Sequence, residues 1–210
     1  PETAPEVKRR AVEGYGAEIT RCPPTLEARE STANAVRERT GATFLHPYDQ
    51  AEVIAGQGTV ALELIEQVSD LDAVIVPVGG GGLISGITLA LRELAPSVRV
   101  YGAEPAGADD AARSRAAGTH IPQTGPDTIA DGLLTSLGDL TWPVVRDLLE
   151  DIVVVDDEAI VDAMRWSVPA HAHRGVRVRV LRAHVELRGL DSYGCSVFVY
   201  SRYAVPACIE

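Results

Sequence analysis

The chain has 210 residues, of which 46% are hydrophobic and 23% charged, and its formal net charge at pH 7 is −11. Such a composition is that of a globular protein, and the acidic excess argues against nucleic acid as a partner, because phosphate contacts need a basic face. With neither an apolar run of about eighteen residues nor a signal peptide, we expect no membrane partner and a cytoplasmic location.

Residues 4 to about 165 alternate between helix and strand patterns with short connections, which predicts an α/β domain with a mostly parallel sheet. The first part is predicted to contain helix, strand, helix and strand in the order TAPEVKRRAVEGYG, AEITRC, PTLEARESTANAVRERTG and ATFLH. Thr3 is the predicted N-cap of the first helix. The second helix is predicted to begin with Pro24 and Thr25 and to end at Gly41.

The second part begins with a loop and a helix, PYDQAEVIAGQGTVALELIEQV, followed by the strand DAVIVPV. This strand is rich in β-branched residues and apolar on both faces, which is typical of a central strand covered on both sides. The remaining predicted elements alternate in the order LISGITLALREL, VRVYGAE, GADDAARSRAAG, WPVVRDLLE and DIVVVDDEAIVDAMRW. Asp156 or Asp157 is predicted to cap the last helix.

The pattern changes beyond about Trp166. This segment contains six arginines and three acidic residues, so its local charge is +3. The acidic residues are Glu186, Asp191 and Glu210. One basic strand pattern with scattered turn residues cannot bury a core, and we therefore expect residues 166–210 to be an atypical tail that does not pack with the domain. A separate basic binding tail is the alternative, and translation out of frame is a hypothesis for its origin.

Four consecutive glycines, Gly79, Gly80, Gly81 and Gly82, join the strand DAVIVPV to the following helix. Backbone N–H groups in such a turn can face an anion at the positive end of the helix dipole, which predicts a phosphate cradle. The loop lacks the Gly-Lys-Ser/Thr ending of a P-loop and fits the dinucleotide pattern GxGxxG poorly. A tight turn without ligand and a nucleotide-binding domain remain the alternatives.

Glu104 and Asp110 form a second candidate site. If the turn EPAGAD folds back, the two carboxylates and a carbonyl between them can converge on a hard divalent cation. The alternative is that Asp109 and Asp110 are first-turn carboxylates of the next helix, where the dipole favours negative charge.

Four segments carry a resemblance to a known family: HPYDQAEVIAGQGTVALELIEQV, DAVIVPVGGGGLISGI, VYGAEPAGADDAARS and TIADGLL. In their order and spacing they resemble the pyridoxal-phosphate enzymes of fold type II, and look most like the serine racemase and serine/threonine dehydratase family. The resemblance implies a three-layer α/β fold with a mostly parallel sheet, like that of the tryptophan synthase β class and incomplete at both ends. Residues 1–48 would be the remainder of a small α/β domain, residues 49–165 a large-domain segment, and residues 166–210 the atypical tail.

The resemblance also implies ligands and site residues. The N–H groups of Gly79 to Gly82 would bind the phosphate of pyridoxal 5'-phosphate, with Leu83 opening the helix. Gly132, in the loop Ala-Asp-Gly, would approach the cofactor ring through its backbone. The Glu104 carboxylate, the carbonyl of Ala108 and the Asp110 carboxylate would hold Mg²⁺ or Ca²⁺.

The activity implied by the resemblance is deamination of L-serine or L-threonine to a 2-oxo acid and ammonia, in a complete member that is expected to be a homodimer. Serine racemisation and a non-catalytic cofactor-binding fragment are the alternatives. Pyridoxal-phosphate enzymes need a Schiff-base lysine, and Lys8 is the one lysine of this chain. The family carries its lysine upstream of the region that matches residue 1, so we assign no catalytic residue and expect this chain to be inactive alone.

Overall fold

The computed structural model describes residues 1–68 and 71–167, so the predicted tail lies, from residue 168 on, outside the described residues. The helices in the described ranges are α1 Glu6–Gly14, α2 Leu26–Thr40, α3 Ala51–Gln67, α4 Gly82–Leu94, α5 Asp110–Ala117, α6 Thr141–Leu148 and α7 Asp157–Ser167. The strands are β1 Ala73–Pro77, β2 Arg99–Pro105 and β3 Asp151–Val155. Each predicted helix therefore forms.

The first compact unit, Pro1–Leu45, contains α1 and α2. Thr25 caps α2, because its Oγ1 accepts a hydrogen bond of 3.1 Å from the N–H of Ala28. Gly41 ends the helix in the left-handed region with φ at 70°, where a residue without a Cβ is least strained. Both ends of α2 thus lie where the sequence predicts them. The division of the chain into units falls after Leu45, and the domain boundary predicted after residue 48 stays a prediction.

Two strand predictions in this region are wrong. AEITRC, residues 17–22, and ATFLH, residues 42–46, have no regular secondary structure. A strand needs a neighbour that satisfies its backbone groups. The described backbone bonds of the first segment lie at its two ends, from the N–H of Ala17 to the carbonyl of Val12 and from the N–H of Glu2 to the carbonyl of Cys22. The Thr3 prediction is also wrong, since α1 follows Pro5 and no side chain caps it.

The second compact unit begins at His46 and contains the sheet. Its described strands run parallel in the order β1-β2-β3, with Ile75 opposite Tyr101 and Tyr101 opposite Asp151 in the register. Helix α4 connects β1 to β2, and α5 and α6 lie between β2 and β3 in the chain. This arrangement confirms the predicted α/β class with a parallel sheet. Within the described sheet the central strand is β2, whereas the composition of β1 had suggested that role for β1.

The main core lies between β1 and the helices α3, α4 and α6. Val74, Val76 and Val78 project to this side. They pack with buried residues of the three helices, among them Ala61, Leu64, Ile84, Ile87, Leu91 and Val145. Ala73, Ile75 and Tyr101 form a smaller buried cluster, so the alternate residues of β1 are buried on both faces, which explains its apolar composition.

None of the helices in the described part of the chain combines the length and the apolar character needed to cross a membrane.

Candidate functional site

The four glycines form the connection between β1 and α4 at the carboxyl end of the strand. All four are buried, and Leu83 in the first turn of α4 is half-buried. Gly81 is the N-cap residue and lies in the left-handed region with φ at 83°, which an L-residue with a side chain adopts only with strain. The predicted strand–glycine–helix arrangement is therefore present.

Close packing by itself requires glycine at three of these positions, among them Gly82, whose Cβ atom would lie 2.9 Å from backbone atoms of Tyr48. A Cβ atom on Gly80 would overlap the ring of Tyr48, and one on Gly81 would lie 2.8 Å from Leu137 and from Thr141. Ordinary Cβ contacts are longer than 3.4 Å. The run of glycines thus has a steric cause in this fold, and the case for a bound anion depends on the helix terminus instead.

The N-terminus of α4 has no side-chain cap, and its first turn contains no acidic residue. The N–H of Ser85 makes the first helical bond, to the carbonyl of Gly81, so the N–H groups of Gly82, Leu83 and Ile84 precede the helical ladder. Such groups carry the partial positive charge of the helix terminus. The charge and the hydrogen-bond donors of this helix terminus therefore suit an anion such as phosphate.

Thr141 joins the glycine loop to α6. Its side chain is fully buried, and its hydroxyl donates a hydrogen bond of 2.9 Å to the carbonyl oxygen of Gly80. The same hydroxyl accepts a bond of 2.8 Å from the N–H of Gly138. Thr141 therefore anchors one peptide of the loop through a contact between residues 61 positions apart in the chain.

Asp49 holds the segment that leads into α6. Its carboxylate accepts hydrogen bonds from the N–H groups of Asp139, Leu140 and Thr141, at 3.0, 2.9 and 3.3 Å. Asp49 belongs to a turn that His46 orders, because the His46 Nδ1 accepts the N–H of Asp49 at 2.8 Å. His46 thus has a structural role in this turn.

Gly132 lies beside the glycine loop. It is part of a short 3-10 helix, Asp131–Leu133, and its carbonyl oxygen would be 3.2 Å from a Cβ atom on Gly79. The loop before it is held against α7, because the Asp157 carboxylate accepts hydrogen bonds from the Thr128 hydroxyl and the Ile129 N–H.

The cap of α7 is Asp156, one of the two predicted residues, because its carboxylate accepts the N–H of Ala159.

Glu104 lies on β2 and is 1% exposed. Its two carboxylate oxygens accept hydrogen bonds from the N–H groups of Ala111 and Ala112, at 3.0 and 2.8 Å. Glu104 therefore satisfies the first turn of α5, a role that the sequence did not indicate for it. Burial raises the pKa of Glu104 to about 7, against the lowering effect of the two N–H bonds.

Asp110 and Ala108 are both 1% exposed. Asp110 begins α5, as the first-turn alternative predicts, and its Oδ2 atom is buried without a hydrogen-bond partner. Burial raises the pKa of Asp110 to about 6, and the charge of Asp110 in turn raises the pKa of Glu104. Within residues 1–68 and 71–167 no group of three or more His, Cys, Asp and Glu side chains could hold a metal ion. The predicted cation site is smaller than such a group, because it consists of two carboxylate side chains, Glu104 and Asp110, and the carbonyl of Ala108.

The sequence did not reveal three residues that shape the loop: Tyr48, Asp49 and Thr141. The stretch Gly-Asp-Leu-Thr at the start of α6 suggested a locally capped helix, whereas the N-cap residue is Leu140, which makes no side-chain cap bond. The stretch did not indicate which distant loop the threonine would contact.

A family profile, a relative and two solved structures all match this chain to pyridoxal-phosphate dependent enzymes. The family profile described as "Pyridoxal-phosphate dependent enzyme" matches residues 1–176. A serine racemase from Oryza sativa subsp. indica is 54% identical over 165 residues, which cover 79% of this chain and 49% of the relative.

Two solved structures are similar in fold and sequence. Maize serine racemase superposes with a TM-score of 0.78 at 53% identity, covering 80% of this chain and 51% of that one. A threonine deaminase from T.th. superposes with a TM-score of 0.74 at 42% identity, covering 78% and 55%. The chain therefore spans about half the length of these relatives.

Proposed function

This chain belongs to the family of pyridoxal-phosphate dependent enzymes of fold type II, and from that premise we propose that the protein it represents processes L-serine or L-threonine. The names of the serine racemases and of the threonine deaminase support this substrate class. The observation in the chain itself that carries the proposal is the uncapped N-terminus of α4 behind a buried glycine loop.

The glycine loop is the proposed binding site of the cofactor phosphate. The N–H groups of Gly79, Gly80, Gly81 and Gly82, together with that of Leu83, provide donors at the positive end of α4. The backbone of Gly132, next to Gly79, would lie beside the ring. When bound, pyridoxal phosphate stabilises the negative charge that develops as an amino acid loses its α-proton.

The second compact unit contains no lysine in its sequence, and Lys8 lies on α1 of the first unit. We therefore expect this chain to hold the cofactor reversibly and not to turn over substrate by itself. The test adds pyridoxal phosphate to the chain and then borohydride, which reduces an imine to a stable adduct. Reversible binding without an adduct supports the proposal. An adduct that Lys8→Arg abolishes would contradict the expectation.

The complete protein could catalyse either of two reactions, deamination or racemisation of serine. Both begin with removal of the α-proton. Elimination of the β-hydroxyl then leads to a 2-oxo acid and ammonia, which the name of the threonine deaminase supports. Return of a proton on the other face leads to D-serine, which the racemase relatives support at higher identity. Simultaneous measurement of D-serine and pyruvate from L-serine distinguishes the two.

A divalent cation at Glu104, Asp110 and the carbonyl of Ala108 is the second proposed ligand. Its support is the buried Oδ2 of Asp110, which has no hydrogen-bond partner. A second support is the proximity of two buried carboxylates, which a cation of charge +2 stabilises in their ionised forms. Because both Glu104 oxygens also accept N–H bonds from α5, the cation would share this carboxylate with the helix terminus.

A further inference from the structure

We propose that Thr141 and Asp49 are positioning residues for the phosphate site, because they fix the orientation of the peptide between Gly80 and Gly81. The inference rests on the proposed binding of the cofactor phosphate at the glycine loop. It assigns the Gly81 N–H to the anion, together with the N–H groups of the first turn of α4.

The Thr141 hydroxyl lies close to two carbonyl oxygens. A hydroxyl has one proton to donate, and two carbonyl oxygens lie within reach, that of Gly80 at 2.9 Å and that of Gly138 at 3.3 Å. Gly138 already donates its own N–H to the same hydroxyl oxygen at 2.8 Å. The shorter distance assigns the proton to the carbonyl of Gly80.

Anchoring this carbonyl determines where the next N–H points. A trans peptide is planar and holds its carbonyl and its N–H on opposite sides. The Gly81 N–H therefore faces away from Thr141. Without the anchor the peptide could rotate, because a glycine on each side gives it unusual backbone freedom. The hydroxyl thus removes a freedom that the four glycines would otherwise introduce into a binding loop.

Asp49 determines where the Thr141 hydroxyl lies. Its carboxylate receives the three N–H groups that begin α6, including that of Thr141. A Cβ atom on Gly138 would overlap this carboxylate, so the contact is close. The neighbouring Tyr48 ring packs against Gly80. One turn of the chain therefore contacts the glycine loop and also the helix that anchors it.

An electrostatic role and a positioning role of Asp49 predict opposite effects of its removal on phosphate affinity. A carboxylate near an anion site repels the anion, so removing its charge should strengthen phosphate binding if charge alone matters. If Asp49 positions Thr141, its removal should weaken binding. Asp139 is a matched control, since its exposed side chain lies in the same segment and accepts none of the described bonds to α6.

The experiment titrates the full chain with inorganic phosphate and with pyridoxal phosphate, at a temperature where each variant is folded. We expect Thr141→Val to weaken binding roughly tenfold, because the Gly81 N–H would lose its hydrogen bond to the charged phosphate. Thr141→Ser should restore the affinity to within about twofold. Asp49→Ala should also weaken binding, and Asp139→Ala should not. A purely structural role would lower the melting temperature and leave the affinity of the folded variants unchanged, which would overturn the proposal.

A second measurement needs no variant. The amide resonance of Gly81 in the unmodified chain should move on addition of inorganic phosphate, as the N–H groups of Gly82 and Leu83 also bind it. A Gly81 resonance that stays in place while those two move would contradict the assigned orientation. If the unmodified chain binds neither probe, the proposed phosphate site itself is wrong, an outcome distinct from binding that is insensitive to Thr141.

Discussion

The ring of Tyr48 occupies the space that a Cβ atom on Gly80 would need. Gly80→Ala should therefore destabilise the chain by about 2 kcal/mol, a typical cost of overpacking a buried site. Urea unfolding measures this change. Gly56→Ala is the control, because Gly56 lies in α3 with no atom near its Cβ position, and it should gain about 0.5–1 kcal/mol from helix propensity.

The double variant Gly80→Ala, Tyr48→Ala identifies the cause. Removing the ring opens the space, so the penalty for Gly80→Ala should shrink substantially in the Tyr48→Ala background. Equal penalties in both backgrounds would show that the strain at Gly80 comes from its backbone and not from Tyr48.

The carboxylate of Asp157 holds the loop that carries Gly132. Asp157→Ala removes the acceptor of the Thr128 hydroxyl and of the Ile129 N–H, and should cost about 1–2 kcal/mol. Amide exchange at Ile129 should accelerate. Glu158→Ala is matched, since Glu158 is also an acidic residue in the first turn of α7 but is exposed. Similar losses for both variants would indicate a helix-dipole effect in place of the loop contact.

The stability of the metal-free chain should fall as the pH rises from 5 to 8. Glu104 has an ordinary pKa of 4.5 when unfolded and about 7 when folded, so the folded chain binds more protons between these values. Stability from this group is complete below pH 4.5 and is lost as the pH rises through 7. Asp110, with a folded pKa of about 6, acts in the same direction. Chemical unfolding at a series of pH values measures the slope.

Glu104→Gln should reduce this pH dependence, because the amide does not titrate. The variant should be less stable at pH 5. The protonated Glu104 carboxyl keeps acceptor lone pairs on both oxygens for the N–H groups of Ala111 and Ala112, whereas an amide has one acceptor oxygen and places its own N–H groups against the other donor. An unchanged slope in the variant would assign the pH dependence to other groups.

Addition of millimolar Mg²⁺ or Ca²⁺ should raise the melting temperature at pH 8 and have a smaller effect at pH 5, where the two carboxyls are protonated. Asp110→Asn should abolish the increase. Asp109→Asn is the control, because the Asp109 carboxylate pairs with Arg113 at 2.7 Å. This substitution should leave the effect of the cation on the melting temperature in place. An increase that survives Asp110→Asn would place the cation elsewhere.

Local signals in the sequence predicted much of the fold. The start of α2 at Thr25, the left-handed Gly41 and the apolar β1 each depend on a few neighbouring residues, and the structure places each as expected. The two strands predicted at residues 17–22 and 42–46 did not form. A helix satisfies its own backbone within one segment, whereas a strand depends on a partner that its own sequence does not specify.

By itself the sequence determined the family, the parallel α/β architecture and the position of a glycine loop before a helix, since these follow from local patterns and their order. Only the tertiary structure decided that Glu104 receives the N–H groups of α5 and that Thr141 anchors the carbonyl of Gly80. Such contacts join residues that are distant in the chain. Their geometry is determined by how the helices and strands pack, and no short stretch of sequence records it.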